Sequence, residues 1–206
     1  MSFTLLIIIL TVVASLYAWN NTTVFLKWMM HPYQIYRSGQ YYRFLTSGFI
    51  HSGYGHLAFN MITFYFFGQY IEQAFGYLFG SLGGYYFAAL YILGIIVSDI
   101  PTYLKNRTNV NFSAIGASGG VSAVLFASIL VNPVMNICLY FIICLPGFVL
   151  GALYLFYSLY QGNRMSDNIN HEAHMYGAIF GIVFTGILRP QFLSEFLGQI
   201  LNYSPF

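Results

Sequence analysis

The sequence predicts an all-α membrane protein, with six transmembrane helices in one compact bundle and a membrane-embedded loop after the first helix. Of the 206 residues, 58% are hydrophobic and only 6% are charged, whereas soluble domains carry about a quarter charged residues. Six apolar segments approach the roughly 20 residues that a spanning helix needs. They cover about 2–19, 57–75, 78–98, 115–131, 137–159 and 173–188. We expect a single domain over 1–206.

The first apolar segment favours an uncleaved transmembrane helix over a signal peptide. No Lys or Arg precedes it, although a signal peptide begins with a positively charged region. The stretch is also long enough to span a bilayer.

Composition also predicts the structure of the segments that connect the spans and of the fifth span. Residues 20–49 mix aromatic and basic side chains, a composition that suits the membrane interface, and we expect a folded loop there. Asp99–Ser113 is interpreted as a polar loop. Pro146 and Gly147 fall inside the fifth span as a tolerated kink. Cys138 and Cys144 would be about 9 Å apart along that helix, which is beyond disulfide reach.

The charge balance excludes one class of partner. The net charge is +2 and the seven Lys and Arg are scattered, so the chain has no basic surface suited to nucleic acid. We expect no nucleic-acid partner.

Polar residues at membrane depth are costly and are retained mainly for function. His56 and Asn60 lie four residues apart at the start of the second span, so both project from one helix face. Both side chains can donate hydrogen bonds. This spacing suits stabilisation of an anion.

A run of small residues opens the fourth span, with Ser118 inside it. Glycines and alanines recur along one face at Gly116, Gly120, Ala123 and Ala127, a pattern typical of a helix that another backbone approaches closely. Ser118 lies at the beginning of this face.

The last span has a matching pattern. His174 shares a helix face with Gly177 and Gly181, at offsets of three and seven. If the two small faces meet, the imidazole lies beside the Ser118 hydroxyl. A serine hydroxyl becomes a nucleophile when a neighbouring histidine takes its proton. The oxyanion formed by its attack needs preorganised donors, which His56, Asn60 and the Ser118 backbone N–H can supply.

The acidic residues do not complete a triad in the sequence. Glu172 is two positions from His174 and so on a different helix face, and Asp167 lies in the preceding loop. We therefore predict a Ser–His dyad.

Together these motifs resemble the rhomboid family of intramembrane serine proteases, in its bacterial six-helix form. The resemblance covers about residues 1–188. The matching residues, in order, are Tyr42-Arg43, His51, His56, Asn60, Glu72, the Gly-Ala-Ser-Gly run at 116–119, Ala173-His174, Gly177 and Gly181. Gly-x-Ser-Gly alone is a weak motif, but the ordered set on the second, fourth and sixth spans is specific.

The resemblance implies roles for these residues. Ser118 is the expected nucleophile and His174 the general base, while His56, Asn60 and Ser118 form the oxyanion hole. Structural support is expected from Gly116, Gly119, Gly177 and Gly181, and from an Arg43–Glu72 pair that joins the first loop to the second span. No cofactor and no metal are expected. The implied substrates are transmembrane proteins in the bilayer, cut in or near the membrane-spanning segment.

The sequence departs from the family at two positions. Tyr42 stands where tryptophan is more common. Ser122 stands one turn after the nucleophile, where some members place an aromatic that stacks on the histidine. How His174 is held is therefore open.

Alternatives remain beside this interpretation. The chain could be a catalytically silent rhomboid-like protein that binds membrane helices, although such proteins typically lack the serine or the histidine. A histidine metal site or transporter is disfavoured, because His171-Glu-Ala-His174 lacks the spacing of the zinc protease motif. His51 is open between a structural and a functional role. His31 and His171 are interpreted as interfacial or loop residues.

The sequence also allows predictions of a mobile loop and of the orientation in the membrane. The loop at about 160–172, with Gly162, Arg164, Asp167 and Asn168, is a candidate lid. The positive-inside rule places the active-site side toward the cytoplasm, since only Arg189 of the seven Lys and Arg falls on the other side. The family habit is the reverse, and we follow it: a multi-pass protein of the bacterial inner membrane, with an extracytoplasmic active site.

Overall fold

Helices account for most of the chain. The structure is a computed structural model that describes residues 2–139, 142–164 and 170–204. The first part contains α1 (Phe3–Trp19), α2 (Thr22–Trp28), α3 (Pro32–Ser38), α4 (Arg43–Thr46), α5 (Tyr54–Phe79) and α6 (Gly83–Asn106). The second contains α7 (Ser118–Val131), β1 (Asn136–Leu139), β2 (Ile143–Pro146), α8 (Gly147–Arg164), α9 (His171–Leu188) and α10 (Gln191–Leu201).

Helix α7 is the centre of the bundle. Residues 119–130 are all buried, and α7 packs against α5, α6 and α9. The main core joins aromatic residues of α5 and α6, such as Phe64, Phe87 and Tyr91, to the small residues of α7. Glycines and alanines on α7 allow its neighbours to approach closely, so Ser118 begins the most enclosed helix of the fold.

The segment between α1 and α5 is folded, as expected for residues 20–49. It forms α2, α3, α4 and a 3₁₀ turn at Ser47–Phe49. Arg43 is buried, and its guanidinium donates to the carbonyls of Leu26 and Met29 and to the side chain of Gln40. Because these donors of the buried arginine have acceptors within the first loop, Arg43 fixes the loop internally.

The fifth predicted span is wrong in its first part. Strands β1 and β2 pair antiparallel, with Cys138 directly opposite Cys144, and the two cysteines form a disulfide. The expectation that they lie beyond reach assumed a helix, whereas in an antiparallel pair opposite residues are adjacent. Pro146 ends β2 and Gly147 begins α8, so neither forms a kink inside a helix.

Two further boundaries differ from the sequence analysis. Asp99–Asn106 belongs to α6 with Pro101 inside the helix, so the polar loop is confined to residues 107–117. The amphipathic helix α10 follows α9 and was not predicted. Asp167 and Asn168 of the candidate lid lie outside the described residues.

Length and composition identify few helices that could cross a membrane. Within the described ranges, the helical stretch Tyr54–Asn106 is long and apolar enough. The pair His171–Leu188 and Gln191–Leu201, bent by 113°, is a second if it is counted as one span. Six transmembrane helices therefore stay a prediction.

Candidate active site

Ser118 is the first residue of α7, and the glycine two positions before it determines how the chain enters the helix. Gly116 has a φ of 124°, a conformation that L-residues rarely adopt. A Cβ at this position would also lie 2.7 Å from Cε1 of His56. Glycine is thus required both by the turn and by the close approach of His56.

Main-chain hydrogen bonds hold the loop in front of Ser118 to the α1–α5 segment. Met30 and Ala114 exchange N–H···O bonds of 2.9 and 3.0 Å. The Gly116 N–H donates to the Ser47 carbonyl at 3.0 Å, and the Ala117 N–H donates to Nε2 of His51 at 3.3 Å. Three separate points of the first loop therefore fix residues 114–117.

The structure gives His51 a structural role. Its side chain is fully buried, and its Nδ1 lies 3.1 Å from Oγ of Ser15, whose hydroxyl donates to the Phe49 carbonyl. Nε2 accepts from Ala117, so Nδ1 carries the proton in a neutral ring. Burial, helped by the nearby His56, lowers the pKa of His51 to about 3. The neutral ring connects α1 to the Ser118 loop.

His56 and Asn60 lie on α5, and the ring of His56 is 4.9 Å from that of His51. Nδ1 of His56 is 3.1 Å from the Ser52 hydroxyl, and its ring lies against Gly116. Asn60 is buried, and its Nδ2 donates to the His56 carbonyl one turn back at 2.9 Å. The structure thus brings His56 to the Ser118 loop, while one amide hydrogen of Asn60 bonds within its own helix.

The backbones of α7 and α9 touch at two levels. A Cβ on Gly177 would lie 2.2 Å from the Gly119 carbonyl oxygen, and a Cβ on Gly181 would lie 2.1 Å from the Ala123 carbonyl oxygen. Both contacts advance four residues in the same direction, so the helices run parallel. Ser118 and His174 therefore lie at the same end of two touching helices.

The small face of α7 differs in one respect from the predicted one. Gly119 and Ala123 lie against both neighbours: their carbonyl oxygens meet α9, while a Cβ on Gly119 would overlap Ser98 of α6. Gly120 faces α6 as well, where a Cβ would lie 2.8 Å from the Tyr91 carbonyl oxygen. The predicted row through Gly116 and Gly120 followed the repeat of small residues. A helix packed on two sides needs small residues on two faces, and the sequence does not say which face meets which neighbour.

His174 lies among aromatic rings. The ring of Tyr154, from α8, is 6.0 Å from it with an interplanar angle of 23°, and the ring of His171 is 5.7 Å away. His171 is itself buried and begins α9, so it is not a loop residue. Tyr154 was missed because it is one of 19 tyrosines and no local motif marks it.

Side chains from α6 hold the start of α9. Asn170 caps α9 by accepting from the Ala173 N–H, and it also accepts from the Thr102 hydroxyl at 3.2 Å. Glu172 pairs with Lys105 at 2.5 Å. The Glu172 carboxylate is thus engaged with α6.

A small cavity adjoins Ser118. Its lining includes Ser47, Ser98, Asp99 and Asn170, and Asp99 is only 8% exposed. The Asn170 amide lies 3.5 Å from the Asp99 carboxylate. Asp99 was not predicted as a site residue, because the polar composition of Asp99–Ser113 indicated a loop there.

The expected Arg43–Glu72 pair is wrong, because the two residues have different partners. Arg43 holds the first loop, as described above. Glu72 accepts from the backbone N–H groups of Phe3 and Thr4, at 2.6 and 2.9 Å, and from the Thr4 hydroxyl at 2.7 Å. A carboxylate at the start of a helix stabilises it, so Glu72 anchors α1 to α5.

Within the described ranges, no group of three or more His, Cys, Asp or Glu side chains is arranged to hold a metal ion. The chemistry that these residues offer is that of a serine and an imidazole at the same end of two touching helices, with the hydrogen-bond donors of His56 and Asn60 on α5.

Comparison with known proteins agrees with this constellation. The family model described as "Rhomboid domain" matches residues 38–191, which include Ser118, His174 and the loop that holds them. The chain belongs to the rhomboid family, whose members are membrane proteins.

Curated relatives are plant proteins. The chain is 29% identical over 190 residues to the mitochondrial RHOMBOID-like protein 12 of Arabidopsis thaliana, covering 82% of this chain and 56% of that protein. It is 28% identical over 163 residues to the chloroplastic Rhomboid-like protein 11 of the same plant, covering 72% and 52%. The chain thus spans about half the length of these relatives. Their organellar names do not support the expected bacterial inner membrane.

Proposed function

We propose that this chain is a serine-type intramembrane endopeptidase. Ser118 attacks the peptide carbonyl, and His174 accepts the serine proton and passes it to the leaving amine. The proposal is supported most by the glycine contacts of α7 with α9, because they bring the starts of these two helices to one end of the bundle.

Stabilisation of the oxyanion is assigned to donors around the Ser118 loop. The Ser118 N–H is one, and the His56 ring, which lies against Gly116, is another. Asn60 has a second amide hydrogen beyond the one bonded to the His56 carbonyl. Loss of one such donor costs about a hundred- to a thousandfold in rate.

The substrates are transmembrane proteins, cut in or near their membrane-spanning segments. Apolar side chains on the outside of the bundle support a bilayer around it: Val13 is 59% exposed, Phe59 64% and Ile187 75%. Such a surface is unfavourable in water and suits lipid. A substrate held in the same bilayer reaches the site laterally.

The active site is proposed to face the side of the membrane opposite to the N-terminus. The first loop follows a single span, so in a six-span protein it lies across the membrane from the N-terminus. The Ser118 loop contacts this first loop and therefore lies on the same side. Reporter fusions at Met1 and Phe206 test it, and an N-terminal reporter on the same side as the active site would contradict it.

Cleavage of a fluorogenic transmembrane substrate tests the proposal, with purified protein in liposomes. We expect cleavage by the wild type that survives a strong chelator and is lost in both Ser118→Ala and His174→Ala. Cleavage that persists in Ser118→Ala and stops with the chelator would instead indicate a metal site. A folded wild type that binds the substrate without cutting would indicate a silent rhomboid-like protein.

A further inference from the structure

The Ser122–Tyr154 pair is not explained by the proposed reaction. Tyr154 lies on α8, and its hydroxyl is 2.6 Å from Oγ of Ser122. Ser122 is 3% exposed and lies one turn after Ser118 on α7. Two hydroxyls at this distance form a good hydrogen bond, which is partly buried, so α8 is attached to α7 one turn after the serine.

The ring of Tyr154 also stacks on the imidazole of His174. Its centroid lies 6.0 Å from that of His174, and the two planes are 23° apart. This separation is within the range of offset-stacked rings, which interact beyond simple burial. Tyr154 therefore links the helix of Ser118 to the ring of His174.

The bond to Ser122 gives this stack a fixed orientation. A tyrosine ring held at its hydroxyl cannot swing away from its partner without breaking its bond to the buried Ser122 hydroxyl, and a buried hydroxyl is costly to leave unpaired. The imidazole that stacks on the held ring loses freedom to rotate about its own side-chain bonds. The small side chain of Ser122 leaves the space that the incoming ring occupies.

We propose that Tyr154, anchored by Ser122, is a positioning residue that holds the His174 ring toward Ser118. The inference rests on the proposed function for its catalytic consequence. It also answers how His174 is held in a chain with serine at position 122: the stacking ring comes from α8 and not from α7.

Kinetics of the liposome assay give the first test. Tyr154→Leu removes the ring, and we expect kcat to fall about 3- to 10-fold with little change in KM, as the energy of an aromatic pair converts to rate. Tyr154→Phe keeps the stack and should retain more activity than Tyr154→Leu. The control is Phe156→Leu, on the same helix with a side chain that is 72% exposed, which should not change kcat.

A double-mutant cycle tests the anchor. Tyr154→Phe and Ser122→Ala each remove one side of the same hydrogen bond, so the double variant should be no slower than the slower single variant. Rates that multiply would mean that the two hydroxyls act independently, and the anchoring would be refuted.

Nuclear magnetic resonance of protein with ¹³C-labelled histidine tests the contact without relying on activity. The Hε1 resonance of His174 is assigned with His174→Gln. We expect it to move in Tyr154→Leu, because the ring current of the tyrosine is lost, and to stay nearly unchanged in Phe156→Leu. An unmoved resonance in a folded Tyr154→Leu protein would overturn the proposal.

The two measurements separate the two claims. If the wild type does not cleave but the resonance moves, the protease function fails and the positioning contact stands. If the wild type cleaves and Tyr154→Leu changes neither kcat nor the resonance, the positioning role fails and the protease function stands.

Discussion

The Ser118 end of α7 and the His174 end of α9 are held in different ways. The loop before Ser118 is fixed mainly by main-chain bonds to Met30 and Ser47, and the Ala117 N–H donates to the His51 ring. The start of α9 depends on side chains: the Asn170 cap, the Lys105–Glu172 pair, and the Tyr154 ring beside His174. Removal of a single side chain can therefore disturb more of the contacts at the His174 end than at the Ser118 end.

The difference matches the separate requirements of the nucleophile and the general base. A nucleophile and its oxyanion donors must be preorganised, since reorganisation at the moment of reaction is costly. A general base must change its hydrogen bonds during each cycle, because it accepts a proton and then releases it. Main-chain fixation suits the first task, and side-chain support suits the second.

The largest effect is expected where the two ends are joined. Gly177→Ala places a Cβ only 2.2 Å from the Gly119 carbonyl oxygen, so α7 and α9 must separate. We expect the free energy of unfolding to fall by at least about 3 kcal/mol, with loss of cleavage. Unfolding in detergent measures it. In the matched control, Gly76→Ala on α5, the Cβ meets nothing within 4 Å, and stability should be kept or slightly raised.

Gly116→Ala breaks the Ser118 end alone. The φ of 124° and the contact with His56 predict a loss of about 2 to 3 kcal/mol and a larger loss of cleavage, because the Ser118 loop must move. Gly39→Ala is the matched control: it has a positive φ of 65°, but its Cβ is 3.9 Å from the nearest atom. It should cost about 1 kcal/mol and leave cleavage unchanged. Equal activity in the two variants would contradict this account.

Acid should weaken the Ser118 end through His51. Its pKa is about 3 when folded and about 6.5 when unfolded, so the unfolded state binds the extra proton between these values. Stability is then lost as pH falls below 6.5, by about 1.4 kcal/mol per pH unit.

Unfolding of the wild type and of His51→Gln from pH 7 to pH 5 measures this contribution. The variant should be less stable at pH 7 but less sensitive to acid. His31→Gln serves for comparison, because burial and Arg43 also lower the pKa of His31, to a smaller extent. An unchanged slope in His51→Gln would show that the ring is already charged or exposed.

The smallest effect is expected from the cap of α9. Asn170→Ala should lower the free energy of unfolding by about 1 kcal/mol and also reduce cleavage, since the cap fixes the turn that carries His174. Asn21→Ala removes the equivalent cap of α2, where Asn21 accepts from the Val24 N–H. It should cost a similar amount of stability without changing kcat. If both variants cleave normally, the His174 end is held more firmly than the contacts indicate.

The sequence predicted what short-range patterns encode. Periodic small residues indicated that α7 and α9 approach closely, and the positions of Ser118, His174 and His56 followed from motifs on helix faces. The Cys138–Cys144 hairpin was missed because an apolar run does not distinguish a strand from a helix. Tyr154 was not predicted, and Glu72 was assigned the wrong partner. Their partners are distant in sequence, and no local pattern specifies them.

Covalent labelling of the purified protein tests the central claim most directly. A fluorophosphonate reacts only with a serine that a base has activated, and peptide mass mapping identifies the residue that carries it. The account predicts a single adduct on Ser118 in the wild type and a strongly reduced rate in His174→Ala, with both proteins folded. Labelling at another residue, or the same rate in His174→Ala, would contradict the account.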